Sequence, residues 1–232
     1  MAVIDMRVDG DVRNAASLYA DFLLKKRRNG KGKIGDRRAL DIIFCERNFV
    51  ALRLDGKKIG AMDAGGANLY RASIKNAYLR GMNFGGANLG YANITGSDCE
   101  CANFGGANLG YAKLARSSFR GANMSGAYLA YSDLSNADFS DAYFWGAYMK
   151  GAVLRNAVME GSYLGGVNLK GADLRGARLL GAEMHGASVS RVKLYRKDFR
   201  TFLESVGAIG RGDNITNASL ADKARMLSII LH

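Results

Sequence analysis

Between Gly65 and Leu194 an apolar residue recurs at every fifth position without a slip of phase. The centres begin Leu69, Ile74, Leu79, Phe84, Leu89, Ile94, Cys99, Phe104 and end Met184, Val189, Leu194, 26 in all. Two residues before each centre stands a smaller column of 19 Ala, four Ser (Ser97, Ser117, Ser132, Ser162), Val167, Val192 and Met82. A helix would carry such a repeat steadily round its axis, and a flat strand would flip it to the opposite face at each step. The chain must therefore turn every five residues. A longer period sets how many turns close a circuit: Gly66, Gly86, Gly106, Gly126, Gly146, Gly166 and Gly186 lie 20 apart, and GGANLGYA at Gly85 returns letter for letter at Gly105. Four five-residue sides make one coil, and roughly 6.5 coils stacked at about 4.8 Å make a rod about 31 Å long. A fixed period of this kind marks a solenoid, in which each unit buries its apolar residues by stacking on its neighbours.

The run of A-N/D-L-x-x units, as in GANLG, GADLR and NADFS, resembles the pentapeptide repeat proteins, over about 130 of the 232 residues. The resemblance implies an all-β solenoid, a right-handed quadrilateral (four-sided) parallel β-helix with both apolar columns pointing inward. Its handedness follows from the resemblance and not from the spacing. The resemblance also includes relatives that bind DNA gyrase and protect it from quinolones or related poisons by imitating duplex DNA, some of them joined end to end through a C-terminal helical element. Imitation of DNA needs acidic faces. The acids of the repeats, Asp98, Glu100, Asp133, Asp138, Asp141, Glu160, Asp173 and Glu183, are scattered and outnumbered by bases, which disfavours that topoisomerase-binding alternative.

The flanks read differently. Residues 1–43 form a basic helical extension: Val12, Ala15, Ala16, Tyr19, Phe22 and Leu23 fall on one stripe that ends in Lys25, Lys26, Arg27 and Arg28. Those four cations suit a helix C-terminus and are also a candidate anion-binding arm. GKGKIG, just beyond, lacks the spacing of a phosphate-binding P-loop. Residues 44–64 read as an irregular first coil or cap, with Leu54 and Ile59 already in phase, since an open solenoid end exposes strand edges. Residues 65–194 are the β-helix. Residues 195–232 read as a C-terminal helical cap or dimerisation element, with a helix over 197–206 closed by Gly207 and a second over 219–232. In the second, Leu220, Ala224, Leu227 and Leu231 make an apolar stripe that is the candidate oligomer contact. Arg211-Gly212-Asp213 is read as a chance string.

Composition narrows the function. No stretch has transmembrane length, and MAVIDMRVDGD lacks the basic start and apolar run of a secretory signal, so a cytoplasmic protein is expected. Cys45, Cys99 and Cys101 make neither a disulfide framework nor a zinc site, and only His185 and His232 accompany them. No cofactor, metal or catalytic group is expected. The net charge is +12, with 14 basic and 9 acidic residues up to Asp63, 12 and 8 in the repeats, and 7 and 4 in the tail. Such a balance favours anionic partners, either nucleic acid or an acidic protein.

Function on a filled rod lies in the outward positions. Asn68, Asn88 and Asn108 stack on one face, and Asn83, Asn103 and Asn123 on its neighbour, the pattern of side chains bonding nearby turn backbone. Both files then turn aromatic. Tyr128, Tyr143, Trp145, Tyr148 and Tyr163 fall together on two adjoining faces and are the candidate protein interface. A further file, Tyr91, Tyr111 and Tyr131, follows the centres of the first face. Later coils stack Lys150 on Lys170 and Arg155 on Arg175, a basic square that repels itself unless an anion sits there, and hence the candidate anion site. The expected function is a rigid, non-enzymatic interaction module for a protein or anionic partner, with a homo-oligomer through the C-terminal helix as an added expectation.

Overall fold

The computed structural model describes residues 49–59, 63–207 and 230–231. Over the repeats the chain winds as a four-sided solenoid in which each residue before a centre pairs in parallel with the residue 20 positions on. Side one carries the ladder Asp63, Asn83, Asn103, Asn123, Tyr143, Tyr163, Glu183. Side two carries Asn68, Asn88, Asn108, Tyr128, Tyr148, Asn168, Ser188. Side three runs from Arg53 through Ser73, Asn93, Lys113, Asp133, Val153 and Asp173 to Lys193, and side four from Lys58 through Tyr78, Asp98, Ser118, Asp138 and Val158 to Arg178.

The five-residue unit is explained by where its five N–H groups go. In the unit centred on Leu89, Asn88 N–H reaches back to Ala67 O at 2.9 Å, while Leu89 and Tyr91 N–H reach forward to Asn108 O at 2.7 Å and Gly110 O at 2.9 Å. Ala92 N–H closes the corner on Leu89 O at 3.0 Å. Tyr91, third in that corner, has φ 59°, the positive value that a type II turn requires there. The fifth donor, Gly90 N–H, bonds Asn88 Oδ1 at 3.2 Å. An Asn or Asp before the centre thus completes the unit.

Both inward columns are buried, save Ala187 near the last coil, which is partly buried. Phe84 stacks on Phe104 at 4.9 Å and Phe119 on Phe139 at 4.9 Å, so aromatic rings run down the interior beside Leu, Ile and Met. Each such side chain contributes about 2 kcal/mol of burial. The serines in the small column satisfy themselves: Ser97 Oγ donates to Ile74 O at 2.6 Å and accepts Ala77 N–H at 3.1 Å, while Ser132 Oγ donates to Leu129 O at 2.7 Å.

The ends depart from the sequence reading. Within residues 44–64, read as an irregular first coil or cap, Phe49 to Ile59 stands in register, with Arg53 paired to Ser73 and Lys58 to Tyr78. The reason is that Phe49, Leu54 and Ile59 keep the five-residue phase and are buried. At the other end, β1 (Lys193–Leu194) leads through a 3-10 turn (Arg196–Asp198) into α1 (Phe199–Ser205). Phe199, Phe202 and Leu203 of α1 are buried in the continuous core, and Met184 N–H bonds Ser205 O at 2.9 Å, so the helix closes the last coil. The helix expected over 219–232 does not extend to Leu231. Ile230–Leu231 is a strand, β2, paired in parallel with β1, Leu194 opposite Leu231. The last coil offers an open edge, and the β-branched Ile230 suits pairing with it better than a further helical turn. Leu220, Ala224 and Leu227 lie outside the described residues, as do residues 1–43 with Lys25, Lys26, Arg27 and Arg28.

Candidate interaction surface

The asparagine files serve the turns. Asn83 Oδ1 accepts Gly85 N–H at 3.0 Å and Asn103 Oδ1 accepts Gly105 N–H at 3.0 Å. Their amides also donate along the rod, Asn103 Nδ2 to Asn83 Oδ1 at 2.9 Å and Asn123 Nδ2 to Asn103 Oδ1 at 3.0 Å. Side two repeats the device with Asn88 and Asn108.

Where the files turn to tyrosine, that acceptor is lost. Among the described residues, the N–H groups of Trp145 and Lys150, which an Asn at 143 and 148 would receive, have no such partner. Tyr128 stacks on Tyr148 at 5.3 Å and Tyr143 on Tyr163 at 4.9 Å. Trp145, 58% exposed, packs its six-membered ring against Gly165, whose missing Cβ makes room for the indole. The Tyr128–Tyr148 stack on side two and the Tyr143–Tyr163 stack with Trp145 on side one flank the corner of Gly126, Gly146 and Gly166, which carries no side chain.

The second tyrosine file joins this surface. Tyr91, Tyr111 and Tyr131 stack at 4.9 and 5.3 Å, and each is nearly half exposed. Tyr70 meets Tyr91 edge-on at 5.6 Å, with the Arg71 guanidinium 5.3 Å from the Tyr70 ring. The Tyr128 ring lies against Gly110, next to Tyr111, so the two files run side by side, and partial desolvation, then the neighbouring Tyr91, Tyr131 and Tyr128, push the Tyr111 hydroxyl above its ordinary pKa. The sequence reading left Tyr70 and Arg71 out of the surface. Tyr70 is one residue off the tyrosine file, and only its edge-on contact with Tyr91 reveals the link.

The basic square is rearranged by a residue that sequence reasoning passed over. Asp173, 5% exposed, stands between the two arginines. Arg155 Nε donates to its Oδ2 at 2.6 Å, and Arg175 donates through Nε to Oδ1 at 2.8 Å and through Nη2 to Oδ2 at 2.7 Å. Burial alone would raise this carboxyl, but the hydrogen bonds from Arg175 and Arg155 hold it well below the usual carboxylate range. The expected repulsion between Arg155 and Arg175 is therefore relieved from within the chain. Lys150 and Lys170 are exposed and make no ion pair among the described residues.

The charge itself is sorted by side. From Asn83 to Gly166, side one has no charged residue. Side two carries Arg71, Lys150, Lys170 and Arg191 and no acid. Five of the eight repeat acids, Asp98, Glu100, Asp138, Asp141 and Glu160, fall on side four, where Arg80 pairs with Glu100, Arg120 with Asp138 at 3.2 Å and Arg178 with Glu160 at 2.7 Å. Among the described residues no group of three or more His, Cys, Asp or Glu is placed to hold a metal ion, and no helix is long and apolar enough to cross a membrane.

The model of the family described as pentapeptide repeats matches this chain in eight copies over residues 66–98, 97–130, 132–171 and 157–194. The chain belongs to the pentapeptide repeat family, and its solenoid is the right-handed four-sided β-helix of that family. No curated protein matches the sequence. Among solved structures it is similar to a trypsin-treated form of QnrB1, described as a plasmid-mediated fluoroquinolone resistance protein. The identity is 22% and the TM-score 0.41, over 70% of this chain and 93% of that one. A pentapeptide repeat protein from Nostoc matches at 20% identity and a TM-score of 0.30, over 56% of this chain and 84% of that one. One from the Arabidopsis thaliana thylakoid lumen matches at 27% and 0.19, over 51% and 68%.

Proposed function

We propose that the chain is a non-enzymatic interaction protein whose rigid β-helix presents Tyr128, Tyr143, Trp145, Tyr148 and Tyr163 to a protein partner. The observation that carries this reading is the local exchange of Asn for Tyr. Four tyrosines stand in two adjoining ladders where Asn would complete the turn, around a glycine corner on a stretch of side one without charge. Loss of charge with enrichment in Tyr and Trp is the composition of an interface centre. An enzymatic role has no support in the interior, which is filled by its own side chains. Imitation of duplex DNA toward a topoisomerase remains disfavoured, because even the most acidic side sets three arginines against its five carboxylates.

The test is affinity capture from the native source with mass measurement of the intact complex, comparing the natural chain with a Tyr143→Asn, Trp145→Ala double variant. A partner retained by the natural chain and lost from a variant of unchanged thermal stability is the expected result. Equal capture by both would refute the reading.

A further inference from the structure

The last three coils carry a second surface of different chemistry. From Tyr148 to Arg196, sides two and three bear Lys150, Arg155, Lys170, Arg175, Arg191, Lys193 and Arg196, against a single acid, Asp173, which is buried. Asp173 neutralises part of the charge of Arg155 and Arg175 and pins both guanidiniums in place. Lys150, Lys170, Arg191, Lys193 and Arg196 are exposed and have no ion-pair partner among the described residues. Lys150 and Lys170 occupy the same position in successive coils, and Arg191 stands at the corner of the next. They form a row of free cations that advances by one coil, about 4.8 Å, at each step.

We infer that this strip binds the sugar–phosphate backbone of nucleic acid, with no preference for sequence. Three features select a polyanion of regular charge over an acidic protein. The cations recur with the coil, as the charges of a phosphate chain recur along its strand. On side three Tyr195, 44% exposed, stands between the free cations Lys193 and Arg196, an aromatic face on which a base stacks whatever its sequence. Tyrosine borders the row: the Tyr131 ring lies against Gly151, next to Lys150, and Tyr148 stands two residues before it, so phenolic hydroxyls are at hand for phosphate or sugar oxygens. Side four, on the far side of the rod from side two, matches its five carboxylates with Lys57, Lys58, Arg80, Arg120 and Arg178, so the excess positive charge of the later coils lies on sides two and three and turns a polyanion toward them. The strip adjoins the surface around Trp145 and shares Tyr148 with it, but its cations take no part in that surface.

The test is fluorescence anisotropy of the full chain with a labelled DNA oligonucleotide of about 20 nucleotides, single-stranded and duplex, over a salt series. With five phosphates neutralised, the log–log salt slope on duplex is about −4.5, an affinity loss of about 500-fold between 50 and 200 mM salt. Lys150→Ala, Lys170→Ala and Arg191→Ala together should bring the slope to about −1.8. Arg80→Ala with Arg120→Ala on side four should leave it unchanged, as should Tyr143→Asn with Trp145→Ala, which separates this inference from the proposed function. Three outcomes overturn the inference. One is no binding at low salt. Another is a silent triple variant whose binding is instead abolished by removing Lys25, Lys26, Arg27 and Arg28. The third is polyglutamate binding that matches or exceeds that of DNA, which would assign the strip to an acidic protein.

Discussion

Asp173 shows how much one residue decides on this rod. It sits in an Asn/Asp position, bonds its own corner through Arg175 N–H at 3.3 Å, and also receives two guanidiniums. Asp173→Asn keeps the shape and removes the charge. With several charge-assisted bonds weakened at a buried acceptor, a loss of about 2 kcal/mol is expected, measured as a lower urea midpoint. The pH dependence has a definite sign. Burial raises Asp55, Asp138 and Asp173, but hydrogen bonds from Ser73, Ser140 and Arg175, with further help from lysine and arginine neighbours, leave all three below their ordinary value. Their contribution is full above the unfolded carboxylate value of about 3.9 and is lost as pH falls through the folded values. The natural chain should therefore hold its melting temperature down to about pH 5 and lose it progressively below pH 4, and Asp173→Asn should flatten that acid limb.

At the scale of the five-residue unit, asparagine and tyrosine solve different problems in the same position. Asn103 takes part in three side-chain bonds: it donates to Asn83 and accepts from Gly105 N–H and Asn123. Asn103→Ala should cost about 2–3 kcal/mol, at about 1 kcal/mol for each net bond. Tyr143→Asn should behave otherwise. It gives up the stack on Tyr163, about 1 kcal/mol, and regains the turn acceptor and the link to Asn123, about 1 kcal/mol each. Thermal stability is thus expected to change little, while capture of the partner falls. A drop in stability as large as that of Asn103→Ala would show that the tyrosine ladder is structural. The turn role of the asparagines is legible in the sequence, because an Asx side chain reaches only nearby backbone. That the tyrosines abandon this role is visible only when each donor is traced to its acceptor.

For the whole molecule, stability travels along the core because each coil touches only its neighbours. Phe104 packs against Phe84 at 4.9 Å and edge-on against Phe119 at 5.7 Å. Phe104→Ala should open a cavity there and cost about 3–5 kcal/mol. The loss should exceed that of Leu54→Ala, whose coil begins the described rod, when both are followed by urea unfolding. The sorting of charge also belongs to this scale. Along the chain, bases and acids look mixed, yet winding at 20 residues per turn gathers five acids onto one side and leaves its neighbour, side one, without charge over five successive coils.

The inward columns needed no coordinates. A large residue every fifth position and a small one two before it can be buried together only if the chain turns four times in 20 residues, so the period alone determined the coil, its register and which residues face out. The ends and the electrostatics were decided by contacts that no period encodes. Whether Leu231 continues a helix depends on an open strand edge at Leu194, far away in sequence. Whether Arg155 and Arg175 repel depends on one carboxylate delivered between them from the adjacent coil, about 18 residues on from Arg155. Local spacing sets the direction of a side chain, whereas the partner it finds is set by packing.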